Sequence, residues 1–199
     1  MKLADFKHFL PKKWLSMGRY PIVSLVVLLL GFWRETVVAA QYGLSAELDV
    51  YVAMMSVYLF FGVQVSNTLE MVFIAQGSKL ANSASLARNL YAAMKSVLMV
   101  DFVTVAALLY LGPVLVGMVF KGFDSAQVAL ANEILQLLLI AVVLVTFSGL
   151  IKASLNVCQV FAPGLMAGGI LSGVTGLSVL FFGGEAGINA LVWGFVAGN

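Results

Sequence analysis

Two charged residues, Arg34 and Glu35, stand side by side inside a long apolar run that begins at about residue 21. A charged side chain inside a membrane is costly, so it is by default a candidate functional residue. In one interpretation Arg34 pairs with Glu35 or Asp49, or reaches the membrane surface. In the other it faces a phosphate in a water-filled cavity, because the guanidinium fork matches phosphate oxygens. Spacing alone does not decide between the two.

A polar stripe is predicted on the second apolar run. Gln64, Asn67 and Glu70 follow one another at three-residue steps, which places them on one face of a helix. Such a face must meet protein or water rather than lipid tails. It either makes hydrogen bonds between helices or lines a substrate path.

Further polar residues lie in the later apolar runs. Lys152 and Asn156 share a helical face with Gln159, while Lys95 and Asp101 stand in the third run. One cavity bordered by all the polar stripes is one explanation. The other makes Lys95 and Lys152 ordinary anchors at the cytoplasmic membrane surface.

Several chemistries have little support in this sequence. His8 is the single histidine and Cys158 the single cysteine, so an intrachain disulfide is excluded and a hydrolytic triad or a metal site is not expected. The net charge of +2 is too small to indicate nucleic-acid binding. We therefore expect neither an enzyme nor a metal or organic cofactor.

The elements that must position these residues are transmembrane helices. Hydrophobic residues make up 62% of the 199 residues and charged residues only 10%, whereas soluble domains carry about 25% charged residues. We expect an all-α integral membrane protein with a bundle of five to six transmembrane helices. After a basic cytoplasmic segment at 1–20, the bundle covers 21–199, with helices at about 21–42, 49–76, 90–120, 130–157, 163–182 and a truncated one at 188–199.

The basic residues indicate an orientation, because Lys and Arg are retained on the cytoplasmic side. With the N-terminus in the cytoplasm, nine of the eleven basic residues lie at cytoplasmic ends. They are Lys2, Lys7, Lys12, Lys13, Arg19, Lys79, Arg88, Lys95 and Lys152. The sequence therefore predicts a multi-pass membrane protein with its N-terminus in the cytoplasm.

A set of short motifs then appears in a familiar order. They are Gly31 to Glu35, Ala39 to Gly43, Ala46 to Asp49 with Tyr51, Ala75 to Gly77, Lys121 to Phe123, Ser154 to Asn156, and Phe161 to Pro163. From about Pro21 onward the chain resembles the N-terminal half of the MviN-like lipid II flippases, members of the multidrug/oligosaccharidyl-lipid/polysaccharide exporter superfamily.

The resemblance implies a location in the bacterial inner membrane. It implies one of two helical bundles around a cavity that opens alternately to each side, with the partner bundle supplied by a missing C-terminal half or a second copy. It also implies that Arg34 binds the diphosphate of a polyprenyl-linked glycan and that Asp49 holds Arg34 or contributes to gating. Leu28 and Gly62 stand where lipid II flippases carry further arginines. This difference favours a related cell-envelope glycan over lipid II itself.

Two other functions stay open. A cation-coupled multidrug exporter of the same superfamily would use Glu70 and Asp101 as proton or sodium carriers. A membrane module without transport activity would recruit or scaffold partners.

Overall fold

The structure, a computed structural model, describes residues 19–77, 79 and 83–199. The expected basic segment at 1–20 lies outside these residues except for its last two. Six helices follow one another: α1 Arg19–Tyr42, α2 Ala46–Gly77, α3 Ser83–Val119, α4 Ser125–Val157, α5 Ala162–Ala186 and α6 Ile188–Gly198. No strand occurs in this part of the chain, and α1 to α5 are long and apolar enough to cross a membrane. The expected all-α membrane bundle is confirmed.

The helix ends are set by local side-chain chemistry. Gly43 follows α1 with a φ of +56°, a left-handed conformation that glycine adopts without strain. The Ser45 hydroxyl accepts a hydrogen bond from the Leu48 amide and caps α2. Asp124 and Gln127 form a reciprocal capping box at the start of α4.

Helix α3 contains a glycine and a proline near its end. A Gly-Pro pair usually favours a helix break, yet α3 continues through Gly112 and Pro113 to Val119. Proline is tolerated within membrane helices because neighbouring groups can satisfy the freed backbone carbonyl. At Gly112 the helix instead comes close to Leu135 of α4, where a Cβ would lie 2.8 Å from a leucine methyl carbon.

Two groups of helices make up the bundle. Helix α5 packs against α1 and α6, while α4 packs against α2 and α3, and contacts of α6 with α4 and α2 join the two groups. Helix α4 lies at the centre, with residues such as Ile134, Leu138 and Leu150 almost fully buried. Helix α1 contributes few buried residues and leaves much of its length free to face lipid.

Two glycines allow helices to approach closely. A Cβ at Gly149 of α4 would clash with the Ser66 hydroxyl of α2, and one at Gly176 of α5 would clash with the Trp33 ring of α1. Small residues at such points are typical of helix pairs in lipid, where close packing replaces the hydrophobic effect.

The two ends of the bundle carry different residues. The Tyr42 hydroxyl donates a hydrogen bond of 2.7 Å to the Gly187 carbonyl, which joins the ends of α1 and α5. We call this the Gly43 end. The opposite end carries Lys79 and Lys152 and is called the Lys152 end.

Candidate functional site

A cleft of about 350 Å³ lies between α1 and α2 on the Gly43 side of the bundle. We call it the Arg34 cleft. Residues of α5 and α6 also line it, so four helices contribute. Its lining consists of Arg34, Glu35, Val38, Ala39, Gly43, Leu48, Tyr51, Val52, Met55, Ser56, Leu59, Thr175, Leu191 and Phe195. The wall is mostly apolar with a few polar groups, which is the usual character of a small-molecule site.

Arg34 and Glu35 form an ion pair within this cleft. The Arg34 side chain is 26% exposed and that of Glu35 is 64% exposed. Glu35 is the nearer of the two partners that the sequence suggested. Arg34 lines the cleft, and an ion pair with so exposed a carboxylate is weak, so another anion can compete for the guanidinium.

The cleft wall on α2 contains a π-helical turn at Leu59–Val63. Such turns are rare and often occur at functional sites. Leu59 lines the cleft, and Gly62 is buried against Val145 and Tyr58. The turn separates the part of α2 that borders the cleft from the part that carries Gln64, Asn67 and Glu70.

Three of the expected substrate-binding residues lie away from the Arg34 cleft. Asp49 is exposed in the first turn of α2, and within the described residues it makes no ion pair with Arg34. Gln64 and Asn67 are exposed on α2 beyond the π-helical turn. None of these three lines the cleft.

Glu70 belongs to a different place, which we call the Glu70 cluster. Its carboxylate lies 3.0 Å from the Lys152 ammonium and accepts a 2.9 Å hydrogen bond from the Asn156 amide. The Lys152 stem lies beside Gly164, in the first turn of α5. The cluster therefore connects α2, α4 and α5 near the Lys152 end.

The two polar residues of α3 are also separate from the cleft. Lys95 is exposed, and its ammonium lies 4.6 Å from the centre of the Tyr91 ring. Asp101 is 3% exposed and lies 2.6 Å from the Thr146 hydroxyl of α4. The structure thus places the polar residues at several sites rather than around one shared cavity.

Leu28 and Gly62, which stand where lipid II flippases carry further arginines, differ in their surroundings. Leu28 is 69% exposed on α1, about 1.7 turns before Arg34. Gly62 is buried, and a Cβ there would already lie 3.2 Å from Val145. An arginine at residue 62 would require α2 and α4 to move apart.

Sequence reasoning missed most of the cleft wall. Met55, Ser56 and Leu59 lie on the same side of α2 as Tyr51, but they have ordinary residue types for a membrane helix. Thr175 and Phe195 reach the cleft only because α5 and α6 pack behind it. Their role depends on the tertiary arrangement, and no local pattern indicates it.

Fold and site together define a multi-pass α-helical membrane protein with an arginine-containing cleft between its first two helices. No protein-family model, curated protein or solved structure matches this chain.

Proposed function

We propose that this chain is a membrane transporter, a flippase that moves a polyprenyl-diphosphate-linked glycan precursor across the bacterial inner membrane by alternating access. The observation that carries the proposal is the position of Arg34. This residue belongs to a membrane-spanning helix, lines the Arg34 cleft and is paired with an exposed carboxylate. Arg34 would bind the diphosphate, and the resemblance of the chain to the MviN-like flippases supports this role.

The form of the cleft suits the headgroup of such a lipid. A diphosphate is compact and carries two or more negative charges. A guanidinium can donate two parallel hydrogen bonds to it. The apolar part of the wall, with Val52, Met55 and Leu59, can contact the first isoprene units. The sugar would extend toward a partner bundle, supplied either by further chain or by a second copy.

Binding of polyprenyl diphosphate to the protein in lipid nanodiscs tests this assignment. The intrinsic tryptophan fluorescence, to which Trp33 next to Arg34 contributes together with Trp14 and Trp193, can be followed during titration with polyprenyl diphosphate. Charge-assisted hydrogen bonds contribute about 1.5–3 kcal/mol, so Arg34→Ala should weaken binding by roughly 10- to 100-fold. Arg34→Lys should have a smaller effect, because it keeps the charge and loses the fork.

A matched control is Lys121→Ala, which removes an exposed cation between α3 and α4. It should leave the affinity unchanged. In cells, Arg34→Ala should abolish glycan export. Equal binding and export by Arg34→Ala and the wild type would remove Arg34 from the mechanism.

A second function, a cation-coupled multidrug exporter, has one observation in its favour. Asp101 is a buried carboxyl group within a membrane-spanning helix, as a proton carrier would be. Glu70 fits that role less well, because Lys152 and Asn156 already occupy its oxygens. Drug resistance that depends on Asp101, without a defect in glycan export, would favour this alternative.

A further inference from the structure

Asp101 occupies a position in α3 that apolar residues otherwise fill. Among the side chains of this helix that the structure describes, the other large buried ones are Val97, Leu108 and Val116, which are 2–4% exposed. Asp101 is 3% exposed, so it lies as deep as they do. It stands near the middle of the span Ala87–Val119. A carboxyl group at such a place costs free energy that a valine or leucine would not.

No cation compensates this carboxyl group in the described part of the chain, where the ion pairs involve only Arg34 with Glu35 and Lys152 with Glu70. Helix α3 packs mainly against α4. The charged groups of α4 are Glu133 and Lys152, and Lys152 is six residues beyond Thr146, about 9 Å along the axis. A buried carboxylate without a cation is strongly disfavoured relative to the neutral acid.

The other charged and titratable groups that the structure describes in α3 do not contact Asp101 either. Lys95 is exposed over the Tyr91 ring, about 9 Å along the axis from Asp101. Arg88 and Tyr110 are exposed as well and lie farther along the helix. None of them forms an ion pair or hydrogen bond with Asp101 in the described structure.

The Thr146 hydroxyl can donate to the Asp101 carboxylate or accept from the neutral acid. Its oxygen lies 2.6 Å from an Asp101 oxygen and 2.9 Å from the Val143 carbonyl. A hydroxyl has one proton to donate and can accept through its lone pairs. If Thr146 donates to the Val143 carbonyl, as membrane threonines commonly do, the proton in the bond to Asp101 must come from the aspartic acid.

We propose that Asp101 and Thr146 form a proton-binding site inside the membrane. The carboxylate takes up one proton from water to become a neutral carboxylic acid, which then donates to Thr146 while Thr146 donates to Val143. Release returns the proton to water and leaves the carboxylate. Release therefore requires water to reach the α3–α4 contact. This site stands whether or not the Arg34 cleft binds a lipid-linked glycan.

Infrared spectroscopy of the reconstituted chain tests the site directly. The wild type at neutral pH should show the carbonyl band of a protonated carboxylic acid, and Asp101→Asn should lack it. Thr146→Val should shift the band to higher frequency because the acceptor is lost, whereas Thr146→Ser should keep its position. Glu70→Gln, which removes a carboxylate paired with Lys152, should leave the band unchanged.

Three outcomes would overturn the proposal. A protonated-carboxyl region that is the same in the wild type and in Asp101→Asn would show that Asp101 is ionised. A band that does not shift in D₂O would show that its proton is locked in the fold and is not exchanged. A band that sodium chloride removes and potassium chloride preserves would identify a sodium site instead.

Discussion

Near the Lys152 end of the bundle, Oε2 of Glu70 on α2 lies 3.0 Å from Nζ of Lys152 on α4. The Asn156 amide donates a hydrogen bond to Oε1, the other Glu70 oxygen. The Glu70 side chain is 15% exposed and that of Lys152 is 44% exposed. The carboxylate is therefore the buried partner and the ammonium the accessible one. The pair connects two helices that are distant in sequence, so it should contribute to how α2 is held on α4.

Charge reversal tests this contribution. Glu70→Gln should lower the free energy of unfolding by about 1 kcal/mol or less, because half-exposed pairs and polar contacts in membranes are both weak. Glu70→Lys combined with Lys152→Glu should recover part of the loss that either reversal causes alone. Thermal unfolding in detergent measures the effect.

The exposed Glu185, at the opposite end of the bundle, offers a control. Glu185→Gln should not change the unfolding midpoint. If the double reversal is no more stable than the sum of the single reversals predicts, the two charges are not coupled in the folded protein.

The helical membrane fold could be predicted because it depends on composition and on long apolar runs. The pairing of Glu70 with Lys152 could not, since the sequence shows only that each belongs to a polar face. Partner choice depends on which helices pack together, and here α2 packs against α4 rather than closing the cleft toward α1. The π-helical turn of α2 could not be predicted either, because its residues also suit an ordinary helix.

Close packing of α2 and α4 makes Gly149 sensitive to a single methyl group. A Cβ there would clash with the Ser66 hydroxyl, which itself donates a 3.0 Å hydrogen bond to the Val145 carbonyl. Gly149→Ala should destabilise the protein by about 1–3 kcal/mol, the usual cost of overpacking. Thermal unfolding again provides the measurement.

Gly173 of α5 is the matched control, because no atom of a neighbouring element lies within 4 Å of the position that an alanine Cβ would take there. Gly173→Ala should be neutral or stabilising by up to about 1 kcal/mol, as expected from helix propensity. Equal stability of the two alanine variants would contradict the close contact of α2 with α4.

Orientation in the membrane can be tested with single cysteines. Leu44 is fully exposed at the Gly43 end, and the native Cys158 is exposed after α4 at the other end. With the basic residues retained in the cytoplasm, an impermeant maleimide should label Leu44→Cys in intact cells when Cys158 is replaced by Ser. Cys158 in the otherwise unchanged protein should be labelled only after the cells are opened. The reverse pattern would place the N-terminus outside.

Glu35 competes with any anion that Arg34 binds, because its carboxylate forms an ion pair with the guanidinium. Exposed pairs contribute about 0.2–1 kcal/mol, so releasing Arg34 by Glu35→Gln should tighten binding of polyprenyl diphosphate by up to about fivefold. Glutamine keeps the size of the side chain and removes its charge, which separates electrostatics from shape. Titration of nanodiscs at low and high salt checks the cause, since added salt should reduce the difference between Glu35→Gln and the wild type. Weaker binding by Glu35→Gln would instead make Glu35 a residue that positions Arg34, and the pair would then act as one unit in the cleft.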